Sequence, residues 1–147
     1  MKLPISPLSR LFLLLSLVFC CCSCQDRTGR ICAHFDISLP RGHYEVVEIA
    51  EQSYPNGDGE FFVRLSLASA QDYELNDIIS QMRRSGAGEL PMSSEHAEFI
   101  SGKCAHYVEH LEKGFYLIDV DETDSRNYSL VVYNEKDKEL IVQTIIY

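Results

Sequence analysis

The first 24 residues constrain this chain most, because they decide which part of the sequence has to fold. Lys2 and Arg10 precede an apolar run at residues 11–19, and cysteines and a small residue follow up to Cys24. A basic start, a short apolar core and a small-residue end are typical of an export signal. The run is shorter than the roughly 20 residues that a transmembrane helix needs. We therefore expect residues 1–23 to be removed, which leaves about 124 residues for one domain.

The end of this segment, where Ser23 precedes Cys24, resembles the lipobox of bacterial lipoproteins. In that family, a cysteine that follows a small residue is thioether-linked to diacylglycerol and becomes the new N-terminus. The resemblance implies lipidation of Cys24. Cys21 stands where leucine is usual, so Cys21 and Cys22 stay open as alternative sites, and secretion without a lipid stays open too. Because Gln25 rather than aspartate follows Cys24, the resemblance implies a lipid anchor in the outer membrane of the bacterial cell envelope.

The charge of the exported chain excludes some partners. Loss of Lys2 and Arg10 with the signal lowers the basic residues from 13 to 11 against 22 acidic ones, so the formal net charge changes from −9 to −11. Binding to nucleic acid or to anionic lipid without sequence specificity needs clustered Lys and Arg. We therefore expect no nucleic-acid partner, and a membrane contact only through the N-terminal lipid.

Two further cysteines, Cys32 and Cys104, remain once Cys24 carries the lipid. The cell envelope outside the cytoplasm is oxidising, so these two thiols predict one disulfide. The bond would close a loop of about 73 residues and stabilise the fold by roughly 4 kcal/mol. Two buried free thiols are the alternative.

Apolar and polar residues alternate along most of the chain, which predicts strands. The third strand is clearest, with Phe61, Val63 and Leu65 on one face. Turn residues between the second and third strands, including Asn56 and Gly57, favour a hairpin. Seven strands are predicted, at residues 32–38, 44–52, 60–68, 104–111, 115–121, 128–133 and 140–146.

One helix is predicted over residues 70–85. Ser69 and Asp72 match a capping box, apolar residues recur at helical spacing, and Gly86 follows as a stop. A shorter helix is predicted over residues 95–101. Together these elements predict an α+β fold, in which an antiparallel sheet of about seven strands has one clear helix inserted after the third strand. We expect a signal peptide at 1–23, a lipidated tether at 24–31 and a single domain at 32–147.

Two patterns could bind a metal ion. On a strand, Cys104, His106 and His110 would share one face and could bind zinc, but a disulfide at Cys104 would exclude that site. Residues 119–124 are acidic, as in calcium loops, but an EF-hand would need glycine at the sixth position and glutamate at the twelfth, which is Leu130. A solvated acidic turn is the favoured interpretation. We expect neither a metal nor a cofactor.

Recognisable enzyme motifs are missing from the sequence, including Gly-x-Ser-x-Gly, a Walker loop and His-Glu-x-x-His. The predicted function is therefore not enzymatic. The chain has eight tyrosines and no tryptophan, and tyrosines supply amphipathic contact area at interfaces or fill half-buried sheet positions. Five of them lie on or beside the predicted C-terminal strands: Tyr107, Tyr116, Tyr128, Tyr133 and Tyr147.

These observations favour a lipid-anchored binding module, such as an inhibitor or immunity protein that neutralises a secreted toxin or hydrolase. Its partner would be a basic protein, since complementary charge raises the association rate and the specificity. The alternative is a structural or assembly lipoprotein, an accessory subunit of an envelope complex. The same tether and small domain would serve either role.

Overall fold

The computed structural model describes residues 27–147 of the chain. The lipidation site predicted at Cys24 and its alternatives Cys21 and Cys22 lie outside these residues. Residues 27–34 are helical and form α1. The other helices are α2 (Asp72–Arg84), α3 (Ser94–Ala97) and α4 (Gly102–Val108). The strands are β1 (Glu45–Ser53), β2 (Gly59–Ser66), β3 (Gly88–Glu89), β4 (Gly114–Val120), β5 (Tyr128–Asn134) and β6 (Glu139–Ile146).

The strands form a single sheet in the order β1-β2-β6-β5-β4-β3, and every neighbouring pair is antiparallel. This confirms the α+β class, but the described residues contain six strands and not seven. The β1–β2 hairpin and the meander β4–β5–β6 lie where the sequence predicts them. Two predicted strands are helical instead, and the two-residue strand β3 was not predicted.

The first of these corrections concerns residues 32–38, which contain the end of α1 and the turn after it. The Ile37 N–H donates to the Cys32 carbonyl at 2.9 Å, and the Asp36 N–H donates to the Ala33 carbonyl at 3.0 Å. Asp36 has a φ of 57°. These are the two hydrogen bonds and the left-handed residue of a Schellman cap, which ends a helix. The segment therefore ends a helix and does not form a strand.

The second correction concerns residues 104–111, where α4 and a turn replace the predicted strand. Cys104 and Val108 are buried four residues apart, which is one turn of a helix, whereas His106 and His110 are exposed. A period near four places residues 104 and 106 on different sides of the element. The strand interpretation put them on the same side and was wrong.

Helix α2 confirms the helix predicted over residues 70–85, but its cap differs in detail. Gln71 is the N-cap, and its backbone N–H donates to Glu74 Oε2 at 2.8 Å. The capping box is therefore formed by Gln71 and Glu74 rather than by Ser69 and Asp72. The shorter helix predicted over residues 95–101 is observed only as α3, which begins at Ser94 and already ends at Ala97.

Both faces of the sheet are covered, and each has its own apolar core. Face A packs against α1 and α2, with Phe61, Val63 and Leu65 of β2 in its core. Face B packs against the segment of residues 90–111, which carries α3 and α4, with Phe62 and Ile141 in its core. Because neighbouring side chains on a strand point to opposite faces, β2, β5 and β6 supply buried residues to both cores.

Candidate binding surface and polar network

The two remaining cysteines lie in different cores. Cys32 of α1 is buried in the core of face A, and Cys104 of α4 is buried in the core of face B. Both are free thiols. A disulfide needs Cα atoms about 4.4–6.8 Å apart, and here the sheet lies between the two side chains. The predicted bond between Cys32 and Cys104 is therefore not formed in this structure.

Burial also determines the chemistry of these thiols. Loss of hydration raises the pKa of Cys32 to about 12 and raises the pKa of Cys104 as well. A thiol is a nucleophile or a metal ligand only as its thiolate. Both cysteines are thus fixed in the neutral form, in which they pack as small apolar side chains.

We predict that Cys32 and Cys104 resist alkylation in the folded protein and react once it is unfolded. Iodoacetamide at neutral pH, followed by intact mass analysis, should leave both thiols unmodified natively and add two carbamidomethyl groups in guanidinium chloride without a reductant. The N-terminal cysteines are replaced by serine so that only these two are counted. Unfolded protein that stays unmodified until a reductant is added would show that the thiols are bonded after all.

The zinc site considered from the sequence is not assembled. Cys104 points into the core of face B, while His106 and His110 lie on the exposed side of the segment with ring centroids 6.2 Å apart. No group of three potential metal ligands occurs among residues 27–147. The helical form of this segment separates the thiol from the two imidazoles.

Within the acidic stretch at residues 119–124, Asp119 lies 2.6 Å from His34 Nε2, while Asp121 and Asp124 close the turn itself. Asp121 Oδ1 accepts hydrogen bonds from the Thr123 N–H at 2.7 Å and from Thr123 Oγ1 at 2.6 Å, which lowers the pKa of Asp121. Asp124 binds the Arg126 guanidinium at 2.6 Å, and this contact lowers the pKa of Asp124 to about 2. These contacts are those of the solvated turn that the sequence favours.

A polar network on face B joins β1 and β2 to α4. The Glu48 carboxylate accepts hydrogen bonds from Lys103 Nζ and from Tyr107 Oη, the latter at 2.6 Å. These two bonds lower the pKa of Glu48. Arg64 lies 5.1 Å from the Tyr107 ring centroid and forms an ion pair with Glu139 at 2.8 Å. The network therefore fixes α4 against the first two strands.

A second set of polar groups lies deeper under the same helix. Gln143 is fully buried; its Oε1 accepts from Tyr128 Oη at 2.7 Å and its Nε2 donates to Glu60 Oε1 at 2.6 Å. The Ser101 N–H donates to Tyr128 Oη at 3.1 Å. Burial raises the pKa of Tyr128 to about 12, so its hydroxyl stays protonated. A Cβ at Gly102 would lie 2.5 Å from Glu60 Oε1, so only glycine fits here without displacing that carboxylate.

These polar groups are hydrogen-bonded to one another, as the members of a buried structural network must be. Gln143, Tyr128 and Glu60 are linked in series, and Glu48 has two donors of its own. Tyr128 and Gln143 also contact Ser101 and so hold the residue that precedes α4 in place. The network is therefore best explained as the means by which face B fixes its helices.

We predict that Glu48→Gln weakens the fold in a pH-dependent manner. The folded pKa of Glu48 is lowered, so its contribution to stability is present at neutral pH and is lost as the pH falls through that folded pKa. The variant should lose about 1 kcal/mol at pH 7. That difference should shrink as the pH falls from about 4 to 3, because the unfolded carboxylate takes up a proton before the folded one does. Urea unfolding at pH 7 and at pH 3 measures the difference in unfolding free energy between the variant and the natural protein.

Glu45→Gln is the matched control, since Glu45 is an exposed residue of the same strand. It should change the unfolding free energy by less than about 0.5 kcal/mol at either pH. A Glu48→Gln loss that is equal at pH 7 and pH 3 would contradict the role given to the ionised carboxylate.

The tyrosines do not form an exposed face. Tyr116, Tyr128 and Tyr133 are buried, and Tyr107 is half-buried against Phe62 with ring centroids 5.6 Å apart. Of the five tyrosines that the sequence suggests for an interface, Tyr147 alone is largely exposed. Positions within the two cores therefore explain the other four.

Exposed apolar side chains are concentrated on β1 instead. Val46, Val47 and Ile49 are 43%, 47% and 42% exposed, and β1 is an edge strand of the sheet. The sequence predicts this strand but not its place at the edge. A signal was present: glutamates at positions 45, 48 and 51 follow a spacing of three, which puts charge on both faces of a strand and indicates exposure of both.

None of the helices in residues 27–147 is long and apolar enough to cross a membrane. Comparisons of the chain with protein-family models, with curated proteins and with solved structures found no match. The function must therefore be inferred from the molecule's own surface and chemistry.

Proposed function

We propose that this protein is a lipid-anchored module of the bacterial cell envelope that binds another protein, in the manner of an inhibitor or immunity protein for a secreted toxin or hydrolase. The observation that carries the proposal is the nine-residue edge strand β1, which exposes the apolar side chains of Val46, Val47 and Ile49. Soluble proteins seldom leave a long apolar edge strand uncovered, because such an edge recruits other chains. A surface of this kind is suited to a protein partner.

The anchor follows from the lipobox-like segment that ends at Cys24. Three acyl chains contribute about 0.8 kcal/mol per buried methylene, which is enough for stable attachment to the outer membrane without a spanning helix. Arg27, three residues after Cys24, contacts Glu51 of β1, and its guanidinium lies 4.9 Å from the Phe61 ring centroid. Three residues reach at most about 10 Å. The lipid would thus hold β1 near the bilayer.

Acidity indicates the kind of partner. The chain carries a formal net charge of −9, and three glutamates lie on β1 itself: Glu45, Glu48 and Glu51. A basic protein would gain both association rate and specificity from this field. The proposed activity needs no cofactor, and the buried polar groups of face B already have a structural role.

We predict that the mature protein begins at a diacylglycerol-modified Cys24. Mass spectrometry of the protein from detergent-extracted envelopes should show an N-terminal peptide starting at residue 24 with acyl chains attached, and labelled palmitate should be incorporated. Cys24→Ser should abolish the label and release the protein from the membrane fraction. Cys21→Ser and Cys22→Ser are the matched controls and should retain both. Loss of label in either control instead would assign the lipid to that cysteine.

We predict that the lipidated protein retains a single basic secreted protein. The full chain, tagged at its C-terminus, is crosslinked in the native envelope, extracted with detergent and washed at moderate salt. A stoichiometric partner with a net positive charge is expected. Retention of several envelope-assembly components would favour the accessory role, and a capture no different from that of an unrelated lipoprotein would contradict the binding function.

A further inference from the structure

We propose that the partner binds by strand addition: an extended basic segment pairs with the open edge of β1 and becomes a seventh strand of the sheet. This inference rests on the proposed function as a protein-binding module, and it identifies the surface and the mode of binding. It begins from the place of β1, whose outer edge pairs with no other strand in the part of the chain that the structure describes.

The hairpin geometry shows which backbone groups are available. The Tyr54 N–H donates to the Asp58 carbonyl at 2.8 Å, so these opposed residues form a hydrogen-bonded pair. Hydrogen-bonded and non-hydrogen-bonded pairs alternate along an antiparallel ladder. Ser53, Glu51 and Ile49 therefore belong to non-hydrogen-bonded pairs, and their N–H and C=O groups point away from β2. These three residues direct six backbone groups to the outer edge, where no strand of residues 27–147 pairs with them.

Side chains beside this edge supply the specificity. Ile49 and Glu51 pair with Val63 and Phe61 and so lie on face A, where an added strand would place its own side chains next to them. Ile49 is 42% exposed, and the Glu51 side chain is also 42% exposed although it contacts Arg27. An apolar residue facing Ile49 and a Lys or Arg facing Glu51 would match this surface. The favoured segment therefore carries an apolar and a basic residue two positions apart, so that both lie on face A.

The register of β1 limits where the new strand can pair. Its pairing with β2 shifts between Val46 and Glu48, which leaves Val47 in a β-bulge. A bulge twists the strand and interrupts a regular ladder. The regular part of the outer edge is therefore Glu48–Ser53, and the exposed Val46 and Val47 lie beyond one end of it, where they can contact the partner's surface.

Charge favours a basic partner over a second copy of this chain. Two β1 strands side by side would bring six glutamates to one seam, in a protein that already carries a net charge of −9. Like charges opposed across strands are destabilising, whereas opposite charges contribute roughly 0.2–1 kcal/mol per pair. Glu48 and Glu51 already pair with Lys103 and Arg27, so it is the net negative charge of the chain, with the exposed Glu45, that disfavours self-pairing and favours a cationic strand.

The test uses the full lipidated protein in detergent micelles and a fluorescent nine-residue peptide, Val-Thr-Lys-Thr-Val-Thr-Lys-Thr-Val, which places Val and Lys alternately along one face of the strand. Fluorescence anisotropy should show saturable binding that weakens as salt is added. A second peptide has the same sequence with every backbone N–H methylated, so it keeps its charge and side chains but cannot donate to a ladder. Its affinity should be at least tenfold lower. Equal binding of the two peptides would overturn strand addition in favour of a general charge effect.

Ile49→Lys tests the surface, and Tyr73→Lys is its matched control because Tyr73 is 70% exposed on α2 and the charge change is the same. Ile49→Lys should weaken peptide binding at least tenfold, and Tyr73→Lys less than twofold. Gln52→Lys, at another exposed residue of the regular edge and with the same charge change, is a second test of this surface if Ile49→Lys does not fold. Equal effects of the β1 variants and the control would overturn the assignment.

Two further outcomes separate this inference from the proposed function. An envelope partner that is captured equally by the natural protein and by Ile49→Lys would leave the binding function intact and overturn strand addition. A protein that sediments as a dimer, which Ile49→Lys dissociates, would show a second copy on the edge and would also overturn it. Absence of both peptide binding and a captured partner would overturn the two proposals together.

Discussion

The fold depends on the pairing of β2 with β6 in the interior of the sheet. Apolar side chains of these two strands point to both faces, so both faces must be covered. Val63 and Val142 meet in the core of face A, while Phe62 and Gln143 meet on face B. A polar side chain at such a position is costly unless it is hydrogen-bonded. The bonds from Gln143 to Tyr128 and Glu60 satisfy that requirement, and Tyr128 and Gln143 both contact Ser101, just before α4. One buried amide therefore links the centre of the sheet to its helical cover.

Much of the fold could be predicted from local pattern, and the errors have a common physical cause. The hairpin, α2 and the C-terminal meander are long or have strong turn chemistry, so the period of their apolar residues is unambiguous. Residues 32–38 and 104–111 are short, and a few apolar residues fit a period of two as well as one near four. Their helical form depends on a Schellman cap and on packing against opposite faces of the sheet. The spacing of apolar residues in the sequence reveals neither the cap nor this packing.

The candidate site was less predictable, because it depends on which residues the fold buries. The sequence alone suggests that Cys32 and Cys104 pair, but in the fold they are buried in separate cores on opposite faces of the sheet. The tyrosines are amphipathic, and the fold uses most of them to fill those cores. The exposed apolar surface comes instead from β1, whose edge position follows from the order of the whole sheet. Strand order is a tertiary property that local periodicity does not encode.

The two edges of the sheet differ in a way that stability alone does not explain. At one edge, β3 contributes only two residues, and very short strands are a common means of preventing further pairing. At the other edge, β1 has nine residues, with apolar side chains exposed. The bulge at Val47 protects only one end of it. An edge that no strand of residues 27–147 covers, beside the predicted membrane tether and in a chain of net negative charge, fits the proposed binding role better than an incomplete fold.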